Sequence, residues 1–234
     1  MEKEKIIVIV PSYNEERNIP KVIEGIKNSI SKPHIAVIDD GSSDNTPLIA
    51  KSFGVEVIKL PFNMGYGVAL QTGYKYALEN DYDYVIQIDG DGQHDPKHIE
   101  DLLRELKKGK VDSVIGSRFL VNENQVPFFR GLVIRLFGFI TSLLIGHKIT
   151  DPCSGYRAMN KKIIKFLVKD LYPEDYPDAD LIITLHRAGF CIKEIPVRVH
   201  PNIQGKTMHS GLKPLYYIYK MFLSIFLTLF RRDY

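Results

Sequence analysis

The sequence predicts an α/β fold, in which a mostly parallel sheet is flanked by helices. Short, unbroken apolar runs alternate with helical segments through the first half of the chain. Such runs are typical of strands that are buried on both faces. Strands that alternate with helices form parallel sheets, because each helix carries the chain back across the sheet. The 234 residues, of which 44% are hydrophobic, suffice for a sizeable core.

Five strands are expected in the first half of the chain, at Ile6–Val10, Ile35–Asp39, Val55–Leu60, Tyr84–Asp89 and Asp112–Ser117. The helices between them are expected from about Ile19, after the turn residues 41–47, over Val68–Asn80 and over Asp95–Gly109. Asn18 and Asp95 each stand where a side chain can cap the first helical turn. Pro96 suits the first helical position, since its missing N–H is not needed there.

The alternation fails after Arg118. An apolar helix is expected at Gly131–Gly146, a second helix at about Asp178–Ala188 and a last strand at Cys191–Val199. No repeat and no linker rich in Gly or Ser divides the chain. We therefore expect one domain with a regular first half, a more irregular second half and a C-terminal helix.

Composition excludes several classes of protein. The formal net charge of +3 does not indicate nucleic acid as a partner. The two cysteines, Cys153 and Cys191, have no metal-type spacing and cannot form a disulfide scaffold, which fits a reducing compartment. The first apolar run has five residues and ends at Pro11, so it predicts a strand and is too short for a signal peptide.

Two apolar segments lie outside the alternating half. Leu215–Phe230 is mostly apolar, contains Lys220 and is followed by two arginines, and Gly131–Gly146 contains Arg135. Leu215–Phe230 is shorter than the roughly 20 residues of a membrane span. Two interpretations remain: helices of a protein core, or helices that lie in a membrane interface with basic groups at the headgroups.

Polar residues follow the strands at the carboxyl edge of the predicted sheet, where such folds bind ligands. They are 11–15, Asp39–Asp40, Asp89–Asp91 and Ser117–Arg118. Asp89 and Asp91 can meet one hard cation from the same side, and Gln93 can add a carbonyl oxygen. Such a pair leaves room for water or phosphate oxygens, as Mg²⁺ requires. Asp95 is assigned to helix capping instead, and a solvated acidic turn is the alternative for the pair.

Other groups at this edge suit a nucleoside. A buried Asp39 needs a partner such as a nucleobase N–H or a ribose hydroxyl, whereas Asp40 is more readily a cap. Tyr13 and Pro11 can wall a base, and Glu15 can accept a ribose hydroxyl or charge the start of the next helix. The glycines at 65, 67 and 73 do not have dinucleotide spacing but permit close backbone approach.

Six motifs occur in order along the chain: VIVPSYNEERNIP, IAVIDDGSSDNTP, NMGYGVALQTG, IDGDGQHDP, GSR and DPCSGYRAM. Together they resemble family 2 of the inverting glycosyltransferases, which have the GT-A fold. The branch that the chain resembles is the polyprenyl-phosphate glycosyltransferases, which include dolichol-phosphate mannose synthase. The resemblance covers about Ile6 to Val199.

The resemblance implies metal-dependent, inverting transfer of a sugar from a GDP- or UDP-linked donor to a polyprenyl phosphate. It implies Mg²⁺ or Mn²⁺ bound by Asp89, Asp91 and Gln93, and Asp91, Arg118 and Asp180 as catalytic residues. The donor-binding residues that we expect are Pro11, Tyr13, Glu15, Asp39, Asp40, Gly67, Asp89, Gly90, Arg130, Arg157 and Lys206. The arginines are expected to grip phosphates.

The resemblance also implies a division of the chain. Residues 1–205 are expected to form the GT-A domain, with a nucleotide-sugar half at 1–118 and an acceptor half at 119–205. Residues 206–234 are expected to form a mobile loop and a C-terminal helix at the membrane interface. Lys206 and His209 in that loop are candidates to close over the diphosphate. We expect a peripheral protein on the cytoplasmic face of the cell membrane, with oligomerisation left open.

The sequence determines the acceptor of the expected sugar transfer less closely than the donor. A phosphate acceptor is already anionic, whereas a hydroxyl of a sugar or lipid-linked glycan needs a base. Glu174, Asp175, Asp178 and Asp180 are candidate bases or helix caps, in a region that departs from the mannose-synthase pattern. Two other classes remain: a nucleotidyltransferase, which shares the metal carboxylates, and a non-catalytic, membrane-associated nucleotide-binding protein. A response-regulator-like domain is disfavoured, because the fifth strand ends in Ser117-Arg118 where that class has a lysine.

Overall fold

The computed structural model describes residues 4–121, 126–169, 172–173, 176–200 and 213–231. Within these residues, seven strands form one sheet: β1 (Ile6–Ser12), β2 (His34–Asp39), β3 (Glu56–Lys59), β4 (Tyr84–Gln87), β5 (Ser113–Ser117), β6 (Arg157–Asn160) and β7 (Ile192–Pro196). Their order in the sheet is β3-β2-β1-β4-β6-β5-β7. The predicted α/β fold class, a mostly parallel sheet flanked by helices, is confirmed.

Eight α-helices accompany these strands in the described residues: α1 (Ile19–Ser29), α2 (Thr46–Ser52), α3 (Tyr66–Glu79), α4 (Ile99–Leu106), α5 (Phe128–Ile145), α6 (Lys161–Leu167), α7 (Ala179–Arg187) and α8 (Lys213–Phe230). A short 3₁₀ helix, Pro96–His98, precedes α4, and Asp95 caps it as predicted by accepting a hydrogen bond from the Lys97 backbone at 3.1 Å. The prediction for Asn18 is wrong, because its side chain donates to the Glu15 carboxylate at 2.6 Å and caps no helix.

The strand order creates the crevice that holds the site. β1 pairs in parallel with β2 on one side and with β4 on the other, so the chain crosses the sheet in both directions from β1. In open α/β sheets, ligands bind outside the carboxyl ends of the strands where the order reverses. The carboxyl ends of β1, β2 and β4 therefore define the expected ligand edge.

One strand was not predicted. β6 runs antiparallel between β4 and β5, and β5 pairs in parallel with β7. β6 has only four residues, Arg-Ala-Met-Asn, which form no apolar run. Its place in the sheet is set by pairing with strands distant in sequence, and a local pattern cannot reveal this.

The apolar runs of the strands are buried on both faces of the sheet. Ile7 and Ile9 of β1 pack with α3 and α6, whereas Val8 and Val10 pack with α1 and α4. All four side chains are buried almost completely. This two-sided burial is why the strands appear in the sequence as unbroken apolar runs.

A third cluster joins α5, α7 and α8 at the irregular end of the sheet. Phe137 of α5 packs with Ile182 and Ile183 of α7 and with Tyr217 and Met221 of α8. The ring centroids of Phe137 and Phe222 lie 5.3 Å apart, so α5 and α8 touch at this point. The opposite faces of both helices remain exposed. The divisions expected at 118/119 and 205/206 stay predictions, and residues 201–212 lie outside the described part.

Candidate active site

The ends of β1, β2 and β4 meet through the backbone. The Asp40 amide donates to the Ser12 carbonyl at 2.9 Å, and the Gly90 amide donates to the Pro11 carbonyl at 3.2 Å. A Cβ atom on Gly90 would collide with the Ser12 hydroxyl and lie 3.0 Å from the Pro11 carbonyl. Gly90 is thus needed between the two aspartates because the turn after β4 presses against the end of β1.

Asp89 is held in place by two side chains. Its Oδ1 accepts a hydrogen bond from the Tyr66 hydroxyl at 2.7 Å, and its Oδ2 lies 3.2 Å from His94 Nε2. Tyr66 in turn accepts from the Gln87 amide at 3.0 Å, and Gln87 accepts from the Tyr74 hydroxyl. Burial raises the pKa of Asp89, but the hydrogen bond and charge of His94 and the Tyr66 hydroxyl outweigh it and leave this pKa lowered. Asp89 is therefore an oriented carboxylate that favours its ionised form.

Gly155 brings a second segment against Asp89. A Cβ on Gly155 would lie 2.5 Å from Asp89 Oδ2 and 2.7 Å from the Tyr66 hydroxyl. No side chain fits there. The loop before β6 therefore forms one wall of the carboxylate site.

Asp91 completes the acidic pair. Its Oδ1 accepts the Gln93 backbone N–H at 2.9 Å. Burial and then the charge of Asp89 raise the pKa of Asp91. Glu15 lies close enough that, after burial, the charges of Asp91 and Asp89 also raise its pKa. Three acidic groups thus share one small region, where a cation would relieve their repulsion.

The donor set of this region fits a hard divalent cation. No group of three His, Cys, Asp or Glu side chains that could hold a metal occurs among the described residues, so these residues build no protein-only metal cage. Two carboxylates with an amide oxygen from Gln93 would leave positions for water or phosphate oxygens, which is how Mg²⁺ and similar ions are held. The close placement of the two like charges of Asp89 and Asp91 is the observation that supports the fit.

Asp39 carries an unpaired oxygen in a fully buried position. Its Oδ2 accepts the Ser42 backbone N–H at 3.3 Å, whereas its Oδ1 has no hydrogen-bond partner within the described residues. A buried carboxylate oxygen without a donor is costly unless a ligand supplies one. Pro11 is buried at the end of β1, and Tyr13 beside it is half exposed. This arrangement suits a base that donates an N–H to Asp39.

Asp40 and Gly67 serve the start of α3. Both Asp40 oxygens accept backbone N–H groups, from Met64 at 2.7 Å and from Gly65 at 3.0 Å. Gly67 is buried in the first turn of the helix. The structure thus gives Asp40 the capping type of role that the sequence left open, and the role of both residues in donor binding stays a prediction.

Arg118 is paired within the protein. Its Nε donates to Asp151 Oδ2 at 2.6 Å, and its Nη2 donates to Asp151 Oδ1 at 3.1 Å and to the Cys153 carbonyl at 3.1 Å. Burial would lower the pKa of Arg118, but the charge of Asp151 raises it above its ordinary value. The guanidinium therefore orders the loop at 151–153 as well as adding positive charge near Asp89.

Arg157 and Arg130 differ in their surroundings. Arg157 is buried in β6 and donates to the carbonyls of Ser154 at 2.9 Å and Pro152 at 3.1 Å. Arg130 is half buried at the start of α5, where burial and then the charge of Arg118 lower its pKa while Asp91 attracts it. Arg130 makes no hydrogen bond or ion pair within the described residues. It is the candidate best placed to meet a phosphate.

Asp180 lies against α8. Its Oδ1 accepts the backbone N–H groups of Leu181 at 2.8 Å and Asp178 at 3.1 Å, and its Oδ2 accepts the Ser224 hydroxyl. Burial raises the pKa of Asp180 to about 6. Its catalytic role stays a prediction. The candidates Lys206, His209, Glu174 and Asp175 lie outside the described residues.

Sequence reasoning missed several residues of the site. Tyr66, His94 and Gln87 orient Asp89, and Asp151 holds Arg118. Tyr66, His94 and Asp151 do lie inside the motifs NMGYGVALQTG, IDGDGQHDP and DPCSGYRAM, so the motifs contained the signal. Their partners are 5 to 33 residues away, and spacing alone does not show those contacts.

Comparison with known proteins identifies the family. A model described as glycosyl transferase family 2 matches residues 7–167, which is more than two thirds of the 234-residue chain. The chain belongs to glycosyl transferase family 2. This family 2 glycosyltransferase is thus an enzyme, and the resemblance drawn from its motifs is confirmed.

Relatives of this glycosyltransferase cover almost its whole length. The UDP-N-acetylglucosamine–dolichyl-phosphate N-acetylglucosaminyltransferase of Methanococcus voltae is 30% identical and spans 90% of this chain and 93% of its own. The polyprenol monophosphomannose synthase of Mycolicibacterium smegmatis is 28% identical and spans 89% and 82%. Glucosyl-3-phosphoglycerate synthase of Mycobacterium tuberculosis, solved with Mn²⁺, UDP and phosphoglyceric acid, shares the fold: its TM-score is 0.74 at 21% identity, over 98% of this chain and 80% of that one.

The support of Asp89 by Tyr66 generates a prediction. Replacing Tyr66 by Phe removes the hydroxyl that fixes Asp89 Oδ1, so Mn²⁺ affinity should fall by about tenfold, in the range found for lost outer contacts of metal ligands. Mn²⁺ titration followed by electron paramagnetic resonance measures this. Tyr76→Phe, on the same helix and remote from the carboxylates, is the matched control. Equal Mn²⁺ affinities in both variants and the wild type would contradict the role of Tyr66.

The buried Asp180 generates a pH prediction. Its pKa is raised from 3.8 to about 6, so the folded state favours the protonated form. The stability that this group contributes is complete below pH 4 and lost as pH rises to about 6, in total roughly 3 kcal/mol. Urea unfolding from pH 4 to pH 7 should show this loss in the wild type relative to Asp180→Asn. Parallel curves for the two proteins would show that Asp180 has an ordinary pKa.

Proposed function

We propose that this glycosyltransferase moves a sugar, with inversion, from a nucleoside-diphosphate sugar to a polyprenyl phosphate at a membrane surface. The observation that carries the proposal is the placement of a buried, unpaired Asp39 oxygen at the same sheet edge as the Asp89–Asp91 pair. The Asp39 oxygen suits a nucleobase, and the Asp89–Asp91 pair suits a cation that carries a diphosphate. A nucleoside diphosphate contains both the base and the diphosphate.

The donor is the best supported substrate. Asp39 would accept an N–H of the base, with Pro11 and Tyr13 beside it, and Glu15 would accept a ribose hydroxyl. The names of the two relatives and the solved neighbour agree with such a donor, since they include a UDP-sugar, a mannose transfer and bound UDP. UDP- and GDP-linked sugars both fit these groups, and the nucleotide released in turnover distinguishes them.

A divalent cation, Mg²⁺ or Mn²⁺, is the expected cofactor. Asp89, Asp91 and Gln93 would hold it, and when bound it offsets the negative charge that develops on the leaving diphosphate. Arg130 adds a positive charge on the same side, since Asp91 attracts it. Hydrogen bonds from Tyr66 and His94 hold the Asp89 carboxylate in the orientation that the cation would need.

A phosphate acceptor agrees with the hydrogen bonds that Asp180, the candidate base, makes within the protein. A phosphate monoester is already anionic near neutral pH and needs no strong base, whereas a hydroxyl acceptor does. Asp180, the candidate base, directs its two oxygens to α7 and to Ser224 of α8. The relatives from Methanococcus and Mycolicibacterium are named for dolichyl phosphate and polyprenol monophosphate. These observations support a polyprenyl phosphate acceptor.

The surface of α5 and α8 supports a position at the membrane. Both helices expose large apolar side chains, including Phe139 at 67% and Leu143 at 72% on α5 and Phe226 at 56% on α8. Soluble monomers rarely expose so large an apolar area without a partner. By length and composition α5 qualifies as a candidate membrane span, with a mean hydropathy of 1.8. Arg135 within it and Lys220 within α8 favour an interfacial position over a crossing one.

The cytoplasmic face is the side that we propose. Both cysteines, Cys153 and Cys191, are free thiols. Free thiols are kept in the reducing cytoplasm, whereas extracellular compartments oxidise them. This supports a peripheral enzyme whose donor arrives from the cytoplasm.

The proposal predicts a metal-dependent reaction. Wild-type protein incubated with a panel of UDP- and GDP-sugars, Mn²⁺ and polyprenyl phosphate in vesicles should release one free nucleoside diphosphate. Asp91→Asn should lower turnover by roughly 100-fold or more, because a group that meets the cation and leaving charge is lost. Glu24→Gln, an exposed carboxylate on α1, is the control. Full activity of Asp91→Asn, or release of a nucleoside monophosphate or a sugar phosphate in place of the nucleoside diphosphate, would contradict the proposal.

The exposed apolar surface predicts binding to bilayers. The full-length protein should float with vesicles that contain anionic lipid, and Phe139→Glu combined with Phe226→Glu should lower the floating fraction severalfold. A charge on an interfacial apolar face weakens insertion. Leu48→Glu, a residue of α2 that is 67% exposed on another face, should float like the wild type. If the wild type stays in solution, the membrane part of the proposal is wrong.

A further inference from the structure

A polar cluster joins the exposed helix α8 to the loop beside the carboxylates. The Tyr217 hydroxyl donates to Asp178 Oδ2 at 2.6 Å and lies 3.1 Å from Cys153 Sγ. We call Tyr217, Asp178 and Cys153 the α8 junction. Tyr217 is buried, and its ring also packs edge-on against Tyr176 and Phe137. The junction thus fixes both the hydroxyl and the ring of Tyr217.

The junction continues into the site through residues 151–155. The Cys153 carbonyl accepts Arg118 Nη2 at 3.1 Å, and Asp151 pairs with the same guanidinium. Ser154 donates to the Gly116 carbonyl at 2.6 Å, and Gly155 packs against the Asp89 carboxylate. One short segment therefore contacts α8 through the Cys153 side chain, Arg118 through the Cys153 backbone, and Asp89 through Gly155.

Other polar contacts hold α8 to α7. Ser224 donates to Asp180, and Arg187 donates to the carbonyls of Thr228 at 3.2 Å and Leu229 at 2.9 Å near the end of α8. Tyr217 and Ser224 are seven residues apart, so they lie on the same face of α8, opposite to the exposed apolar face. These contacts fix the rotation of α8, and Tyr217 extends them to residues 151–155.

A helix that serves only as an apolar anchor would not need these groups. Burying a phenol hydroxyl and a carboxylate costs free energy unless each finds a partner. An apolar side chain at 217 would anchor α8 as well, but it would leave Asp178 without this donor. The packing of α8 instead depends on the position of residues 151–155, which hold Arg118. The position of these residues depends in turn on α8.

We propose that Tyr217 is a positioning residue that couples the seating of α8 on a bilayer to the order of residues 151–155 beside the catalytic carboxylates. This inference rests on the proposed function, in which α8 lies on a membrane. Because coupling between two sites is reciprocal, a bilayer that fixes α8 also fixes the loop. The enzyme would then have its complete site only when it is seated where its lipid acceptor is found.

The Cys153 thiol reports directly on the junction. It is only partly buried and lies against the Tyr217 hydroxyl, so the rate at which a thiol reagent reaches it depends on how tightly the junction is closed. In a Cys191→Ser background, Cys153 is the remaining thiol, and its labelling rate by a disulfide reagent measures that opening. This readout does not depend on turnover or on the identity of the donor.

Vesicles containing anionic lipid should slow Cys153 labelling by about tenfold in the otherwise wild-type protein, as expected for a coupling within the usual range. In Tyr217→Phe the protein should still float with the vesicles, because the apolar face is unchanged, but the vesicles should no longer slow labelling. Tyr219→Phe, an exposed tyrosine of the same helix, should behave like the wild type. The rate with vesicles is compared with the rate without them in each variant, so a change in basal packing cancels.

The proposal is overturned if vesicles slow labelling equally in Tyr217→Phe and the wild type, or if they bind the wild type without slowing it. In the second case the proposed glycosyl transfer at the membrane still stands. Failure of all nucleotide sugars to react, with the labelling result intact, would overturn the proposed function alone. Where transfer is measured, Tyr217→Phe should lower kcat severalfold at an unchanged KM for the donor. A general loss of folded protein would lower kcat only in proportion to the fraction of protein that is unfolded.

Discussion

Hydrogen bonds from Tyr66 and His94 to Asp89 hold one carboxylate beside another at the end of a buried strand. Burial and then the charge of Asp89 raise the pKa of Asp91, and the two like charges would push the groups apart. The surrounding structure keeps the two carboxylates together. Gly90 allows the turn after β4 to pack against β1, and Gly155 allows the loop before β6 to pack against Asp89. Hydrogen bonds link Tyr66 to Gln87 and Gln87 to Tyr74. Such a fixed pair of like charges is suited to a cation that arrives with its substrate.

The rest of the site takes its positions from the same sheet edge. Asp39 reaches it from β2 with an oxygen that has no hydrogen-bond partner in the described part of the chain, and Arg118 reaches it from β5 with its guanidinium paired to Asp151. The groups proposed to meet the base, the cation and the phosphates thus stand at the ends of β2, β4 and β5 in one sheet, which keeps their separations rigid. The exposed helices α5 and α8 adjoin the loop side of this edge, where Arg130 lies in the first turn of α5. A lipid phosphate is an acceptor that such a layout can reach.

The sequence predicts the sheet and the residues at its carboxyl edge for a physical reason. Strands buried on both faces leave unbroken apolar runs, and the polar residues that follow such runs must gather at one edge, so Asp39, Asp89 and Asp91 could be placed together. Asp95 was also predicted as a cap, because capping is a local interaction. The six motifs added the family, and the family model agrees with it.

Long-range pairing is what the sequence did not show. β6 is too short to form a pattern, and its antiparallel place depends on β4 and β5. The Arg118–Asp151 pair spans 33 residues, and the Tyr217–Asp178 bond spans 39. Each of these contacts is decided by which segments the fold brings together, so only the structure reveals them. The prediction for Asn18 failed for a local reason: its side-chain N–H donates to the carboxylate of Glu15, three residues away, and its oxygen makes no capping bond.

We propose that this sheet edge binds a cation together with a nucleoside diphosphate. Anomalous scattering from crystals grown with Mn²⁺ and either UDP or GDP would show whether it does. We expect one Mn²⁺ peak within coordination distance, about 2.0–2.2 Å, of an Asp91 oxygen, next to the diphosphate, with the base against Asp39. A Mn²⁺ peak away from Asp89 and Asp91, or a nucleotide that leaves Asp39 without a partner, would contradict it.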